Sequence, residues 1–332
     1  MGVPAEVWKL DGISSKAYQH PGDSAATAAL GKVPYLDQVV RKLVALGYER
    51  ALRAASLGAS VRLGERQLPH IWKLQREVYN VLDMEAVPDL YLTQYPLANA
   101  FASGSERPVV VVNSELIRLL DEDGQRVVLA HEAAHIQSDH VLYQTTLAIL
   151  LNMGAGAAAR LPLLAGLPLL AIRYALLEWS RAAELSCDRG AALVTRDPQA
   201  VCRSLMVIAA GEAADELNLD AFIAQGMDYD EPASGGEKLT RMLQDLNVTH
   251  PLPVRRVRIL LDWVRSGEYD AIIGGEYVRR GQEKTVQEEA SAARDHYADR
   301  ISGAVQEAGS SVAEVGQQLG DWLRRQRGDG GG

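Results

Sequence analysis

Val127-Val128-Leu129-Ala130-His131-Glu132-Ala133-Ala134-His135 runs an unbroken apolar approach into two histidines four positions apart. The approach reads as a buried helix. On a helix, residues four apart lie about 40° apart around the axis and roughly 6 Å along it, so both imidazoles can aim at one cation at roughly 2.0–2.1 Å. Glu132, one step on from His131, cannot share that ligation comfortably, but it can reach a water beside the cation. Such a pairing suits hydrolysis: the metal acidifies the water and the carboxylate takes its proton, later passing it to the leaving amine. A pattern this short also arises by chance on ordinary helices, so it needs support elsewhere in the chain.

A catalytic zinc of this kind takes a third protein ligand and keeps a fourth position open. The candidate lies in Arg181-Ala182-Ala183-Glu184-Leu185-Ser186-Cys187-Asp188-Arg189, where Glu184 would be the ligand. Asp188, one turn later on the same face, is placed to accept from the far nitrogen of a ligating histidine. The alternative for both carboxylates is a solvated face paired with Arg181 and Arg189. Cys187 reads as a small buried hydrophobe, although its thiol could approach the metal. His140 is five residues past His135, points to another side of the helix and is not counted as a ligand.

Outward from these motifs, residues 1–33 are rich in Gly, Ala and Ser without a steady period and read as a loosely structured lead-in. Apolar stripes at 34–57 and 68–84 predict scaffold helices. DLYLTQYP and RPVVVVNS predict strands, with ANAFASGSE between them as a bend or short edge strand. Ser114 is read as the cap of a short helix, and the histidine-bearing helix is expected from about Gln125. Residues 141–179 are the least polar stretch. Two bilayer crossings need about 20 apolar residues each plus a turn, which this stretch with its prolines and charges does not comfortably supply. Two readings stand: a helical hairpin buried against its own domain or a sister subunit, or one that dips into a membrane. Residues 181–224 and 237–265 also look helical. The segment 281–332 is an amphipathic tail with a glycine-rich end, suited to packing, to a coiled coil that makes a homo-oligomer, or to a membrane surface. Either terminal segment could cover the cleft until a partner removes it.

Composition narrows the field. Forty-three acidic against thirty-four basic side chains give a net charge of -9, which with no basic stripe argues against nucleic acid as a partner. Two cysteines, Cys187 and Cys202, make no disulfide framework and no cysteine-built zinc site. The first twenty residues lack the pattern of a secretory signal. The expectation is a cytoplasmic protein, with membrane association through the hairpin or tail as the variant, and not a secreted one.

Four segments together resemble the M48 family of zinc metallopeptidases, a gluzincin-type group that includes HtpX-like enzymes. HEAAHIQSDH is similar to the family's zinc helix, RAAELSCDRGAAL to its third-ligand helix, ANAFASG to its Asn-Ala-Phe stretch, and HPLPVRRV to its late His-Pro segment. The resemblance spans about residues 34–265 in the family order. It implies one zinc ion per chain on His131, His135 and Glu184, with Glu132 as general base. It further implies Asn99, Ala100 and Phe101 along a cleft where a substrate strand adds to a sheet edge, and His250 and Arg256 near the site. Stabilising an oxyanion is the natural task for one of these two. Their alternatives are a helix-start residue for His250 and a structural ion pair for Arg256.

The expected fold is α+β and mainly helical: a zincin-like metalloprotease domain over 34–280, with a small β-sheet against the active-site helix. The expected function is zinc-dependent endopeptidase action on polypeptide substrates. The competing class is a catalytically silent scaffold of the same fold that uses the hairpin and tail for assembly or membrane docking.

Overall fold

The computed structural model describes residues 8–45, 47–104, 107–159, 169–228 and 252–283. Near the N-terminus a 3-10 turn, Ser15–Ala17, leads to α1 (Pro21–Leu30), then α2 (Leu36–Ala45), α3 (Tyr48–Ala59), the short β1 (Val61–Arg62) and α4 (Pro69–Val81). The sheet continues with β2 (Asp89–Thr93), β3 (Ala100–Ser103) and β4 (Val109–Asn113). Helices follow: α5 (Ser114–Leu119), α6 (Glu122–Gln137), α7 (Val141–Ala159), α8 (Leu169–Thr195), α9 (Pro198–Ala210), α10 (Leu219–Met227), α11 (Pro253–Arg265) and α12 (Glu268–Ile273). The architecture is mainly helical with one small sheet, as expected.

The strand order is β1-β2-β4-β3, with β2 and β4 parallel and the outer pairs antiparallel. β4 is Val-Val-Val-Val-Asn, buried along its whole length, as β-branched residues inside a sheet favour. Among the described residues β3 is an edge strand that pairs with β4 on one side only.

Residues 8–33 do not form the loose lead-in expected from their composition. Leu10, Ile13, Tyr18, Ala26 and Leu30 are fully buried. Each buried aliphatic side chain of this size contributes about 1.5–3 kcal/mol relative to exposure. α1 starts on a Pro at its first turn, and the Nδ1 of His20 caps it by accepting from the amide of Gly22 at 3.0 Å. Its buried face is Gly22, Asp23, Ala26 and Leu30, only two of them apolar side chains, which is why no strong period marks it. The two described ends also meet: Ser14 donates to the Val278 carbonyl at 3.0 Å, and the Arg280 amide to the Gly12 carbonyl at 2.7 Å.

α6 begins three residues before the expected Gln125, because Asp121 caps it by accepting from the amide of Gly124 at 2.8 Å. At α5 the cap position is Asn113, not Ser114, and its side chain makes no capping bond.

Two cores share the long helix α8. One unites the sheet with α4, α6, α9 and α11 and includes Cys187, Ala191 and Leu193 from the C-terminal half of α8. The other packs α1 and α2 on the apolar pair α7 and α8, through Leu30, Leu36 and Val39 against Leu147, Ile172 and Leu176. The described parts of the 141–179 hairpin thus lie against helices of their own chain; residues 160–168 are outside the described residues. Among the described residues no helix is long and apolar enough to cross a membrane. Of the expected tail, 284–332 lie outside the described residues, as do 229–251.

Candidate metal centre

α6 and α8 cross where Gly190 meets Ala134, so close that a Cβ on Gly190 would stand 2.7 Å from that of Ala134. This contact brings the two motifs face to face. The Nε2 atoms of His131 and His135 are 3.2 Å apart. Glu184 Oε2 lies 3.3 Å from the first and Oε1 3.3 Å from the second. A tetrahedral ion with bonds of roughly 2.0–2.1 Å has ligand-to-ligand edges of about 3.3 Å. The triangle of donor groups, its third corner shared by the two carboxylate oxygens, therefore has the approximate size and the chemistry that a zinc ion requires. All three residues are buried.

The electrostatics favour a cation here. Burial works against charge on His131, but the Glu184 carboxylate and the hydrogen bond to Asp188 outweigh it and raise its pKa to about 9. Burial dominates at His135 and lowers its pKa to about 3, with Glu184 offsetting only part of the effect. Asp188 Oδ1 lies 3.2 Å from His131 Nδ1. Burial would raise the pKa of Asp188, yet Arg256 overcomes it and holds the carboxyl below its usual range.

The guanidinium of Arg256 donates from Nε and Nη2 to the two Asp188 oxygens at 2.7 and 2.6 Å. Its Nη1 lies 3.1 Å from Glu184 Oε2. Of the two readings for Arg256, these contacts are those of the ion pair that fixes the carboxylates; a task at an oxyanion would compete with them. The solvated-face alternative for Glu184 and Asp188 fails on their burial. His250 lies outside the described residues.

Cys187 enters the picture, since its Sγ and a nitrogen of each of His131 and His135 all lie within 4.8 Å of one another. Burial, then the charges of Glu184, Asp23, Glu132 and Asp188, push its thiol well above its ordinary pKa. The Glu184 oxygens stand closer, at 3.3 Å from the two imidazole Nε2 atoms, so Glu184 fits the triangle better than the thiol.

Glu132, His131, Asp188 and Arg256 line a pocket of about 60 Å3 together with Asn99 and Ala100. Phe101 is not among its lining residues. Successive residues of a strand face opposite ways, and Phe101 stands 37% exposed beside the buried Ala100. Nor does any lining residue come from 8–45, so that part of the N-terminal segment does not cover the pocket. Asp23, His140 and Ser186, gathered behind His135, were not expected from the sequence; the Pro21 helix start was the available signal for the helix that carries Asp23.

An HExxH helix, a carboxylate on a crossing helix and an edge strand beside them define a metallopeptidase of the zincin type. The profile of peptidase family M48 matches residues 69–264, more than half of the chain, and the chain belongs to that family. It is 36% identical over 280 residues to the plastoglobule-localized metallopeptidase 48 of Arabidopsis thaliana, covering 83% of this chain and 79% of that protein. It is 31% identical over 233 residues to a protease HtpX homolog of Burkholderia mallei, 62% of this chain and 78% of the relative. A Burkholderia multivorans HtpX homolog is 29% identical over 229 residues, covering the same shares. No solved structure gives a significant match.

Proposed function

We propose that the chain is a zinc-dependent endopeptidase with His131, His135 and Glu184 as ligands and Glu132 as general base. The observation that carries the reading is the convergence of His131, His135 and Glu184, with the two imidazole Nε2 atoms 3.2 Å apart and each 3.3 Å from an oxygen of the carboxylate, beside a pocket that His131 and Glu132 line. A zinc ion held there supplies Lewis acidity, lowering the pKa of a water towards about 7 and polarising the substrate carbonyl. Glu132 accepts the proton of the attacking water and returns it to the leaving amine. Asp188 keeps the proton of His131 on Nδ1, which leaves Nε2 for the metal. Arg256 holds Asp188 and Glu184 in place, so the ligand carboxylate does not swing away.

A polypeptide in extended form suits the edge of β3 that no described strand covers, where backbone hydrogen bonds would hold it and Asn99 and Ala100 would border the reacting bond. Internal bonds of unfolded or loosely folded chains are the expected targets, because a strand must be free to add to the edge.

Glu132→Gln tests the reading. It should retain zinc and lose casein hydrolysis by about 10²–10⁴-fold, and a chelator should abolish wild-type activity. Equal turnover in the variant, or casein digestion indifferent to the chelator, would defeat it and favour a silent scaffold.

A further inference from the structure

On the side of His135 away from Glu184, its Nδ1 faces a second buried polar group. His140 Nδ1 lies 3.2 Å from it, and His140 Nε2 lies 3.2 Å from Asp23 Oδ2. Asp23 belongs to α1 and is fully buried. Its carboxylate also accepts from Ser186 Oγ at 2.7 Å, Thr27 Oγ1 at 3.2 Å and Gln19 Nε2 at 3.3 Å. Trp179 packs edge-on against the His140 ring, with centroids 5.5 Å apart, and its Nε1 donates to Thr27. The imidazole of His140 is thus clamped between α1 and α8.

Proton placement along this row is constrained. A histidine that gives its Nε2 lone pair to a cation carries its proton on Nδ1 and needs an acceptor there. His140 Nδ1 can accept only if the His140 proton sits on Nε2, which stands 3.2 Å from the Asp23 carboxylate, an acceptor only, at an angle short of a well-formed hydrogen bond. The opposite tautomer would set two N–H groups against each other at 3.2 Å and a lone pair against the carboxylate. The amide of Gln144, 3.1 Å from the same Nδ1, can share the proton with its oxygen turned inward.

We propose that Asp23, acting through His140, is a positioning residue that holds His135 in the tautomer able to ligate metal, which makes α1 part of the metal centre. The inference rests on the zinc reading above. It differs from the contact of Asp188 with His131 in using an intervening imidazole and a helix from the far end of the chain.

The test uses zinc-loaded full-length protein labelled with 15N-histidine. Two-bond proton–nitrogen correlation should show the proton of His135 on Nδ1 and that of His140 on Nε2. A proton on His140 Nδ1 overturns the proposal. Asp23→Asn keeps the shape, replaces a charged group that can only accept with a neutral one that can also donate, and should raise the zinc Kd by about 10-fold or more in chelator competition. The absorption bands of the cobalt(II)-substituted variant should also shift. A folded variant with unchanged zinc Kd and cobalt bands overturns the proposal. Should Asp23→Asn fail to fold, the wild-type tautomers decide alone. Wild type that takes up no zinc, or His135→Ala that binds it equally well, sinks the zinc reading and the tether with it.

Discussion

Gly190→Ala should weaken both the fold and the metal site, although alanine is the better helix former. The new Cβ would stand 2.7 Å from Ala134 Cβ and 3.2 Å from Tyr18 Cε2. Carbon atoms in contact rest about 3.5–4.0 Å apart, so the first gap is short by about 0.8 Å. Neither neighbour can step aside. The Ala134 methyl is fixed to its backbone, and Tyr18 is fully buried with its hydroxyl donating to Gln137 at 2.7 Å. α6 and α8 must move apart, at a cost of about 1–3 kcal/mol for overpacking. Relief of glycine's backbone entropy returns about 0.5–1 kcal/mol, which leaves a net loss of up to about 2.5 kcal/mol. The shift falls between His135, next to Ala134, and Asp188, two residues before Gly190, so the donor triangle opens. Urea unfolding in chelator reads the stability and competition titration the zinc Kd, which should rise. Adding Ala134→Gly should restore much of both in a double-mutant cycle. A Gly190→Ala protein as stable as wild type with unchanged zinc Kd would refute the close-crossing argument.

Arg256→Met should cost about 3–5 kcal/mol, because Glu184 and Asp188 lose the charge that compensates them; an unmoved urea midpoint would contradict this. Lysine at the same position should recover only part, lacking the two-pronged contact with Asp188. Cys187→Ala should keep its zinc in metal analysis while Glu184→Ala loses it, and the reverse result would make the thiol the third donor. Asp83→Asn probes acid stability. The hydrogen bond from Lys9 at 2.5 Å, with help from the Gly12 amide and Arg280, holds the Asp83 pKa below its usual value against the opposing effect of burial. Its contribution is therefore present above the unfolded pKa of about 3.9 and fades as pH falls through the lower folded value. Wild type and variant should differ by less than about 1 kcal/mol at neutral pH and converge in acid; a gap that widens in acid would reverse the sign.

The catalytic helix was legible because its signals are local. Four apolar residues before His131, and the spacing of His131 and His135, hold on any helix, and the valine run of β4 marks a buried strand in the same way. Glu184 was reachable because one charged face within an apolar helix limits the choice. Pairings that depend on the fold were not legible. Arg256 is as consistent in sequence with an oxyanion site as with an ion pair, and only the approach of α11 to α8 decides. Phe101 shares a stretch with Asn99 and Ala100, yet the strand pleat turns it the other way. α1 escaped because its buried face joins a glycine and a carboxylate to Ala26 and Leu30 and so carries no strong hydrophobic period. His140 was set aside on helical angle alone, but α6 ends at Gln137 and the backbone turns at Asp139, with φ 56°, which brings the ring back beside His135.

The pairing of Gly12 and Ser14 with Val278 and Arg280 bears on how the chain comes to be active. A contact across some 266 positions is among the slowest to close, since loop entropy is lost before it is repaid. During synthesis the N-terminal residues must wait until Arg280 has emerged from the ribosome before the seam can shut. A fragment starting at residue 34 would lack half of that seam and the carboxylate behind His140. Closure of that seam, and with it the placing of α1 behind His140, is therefore expected as a late step of folding.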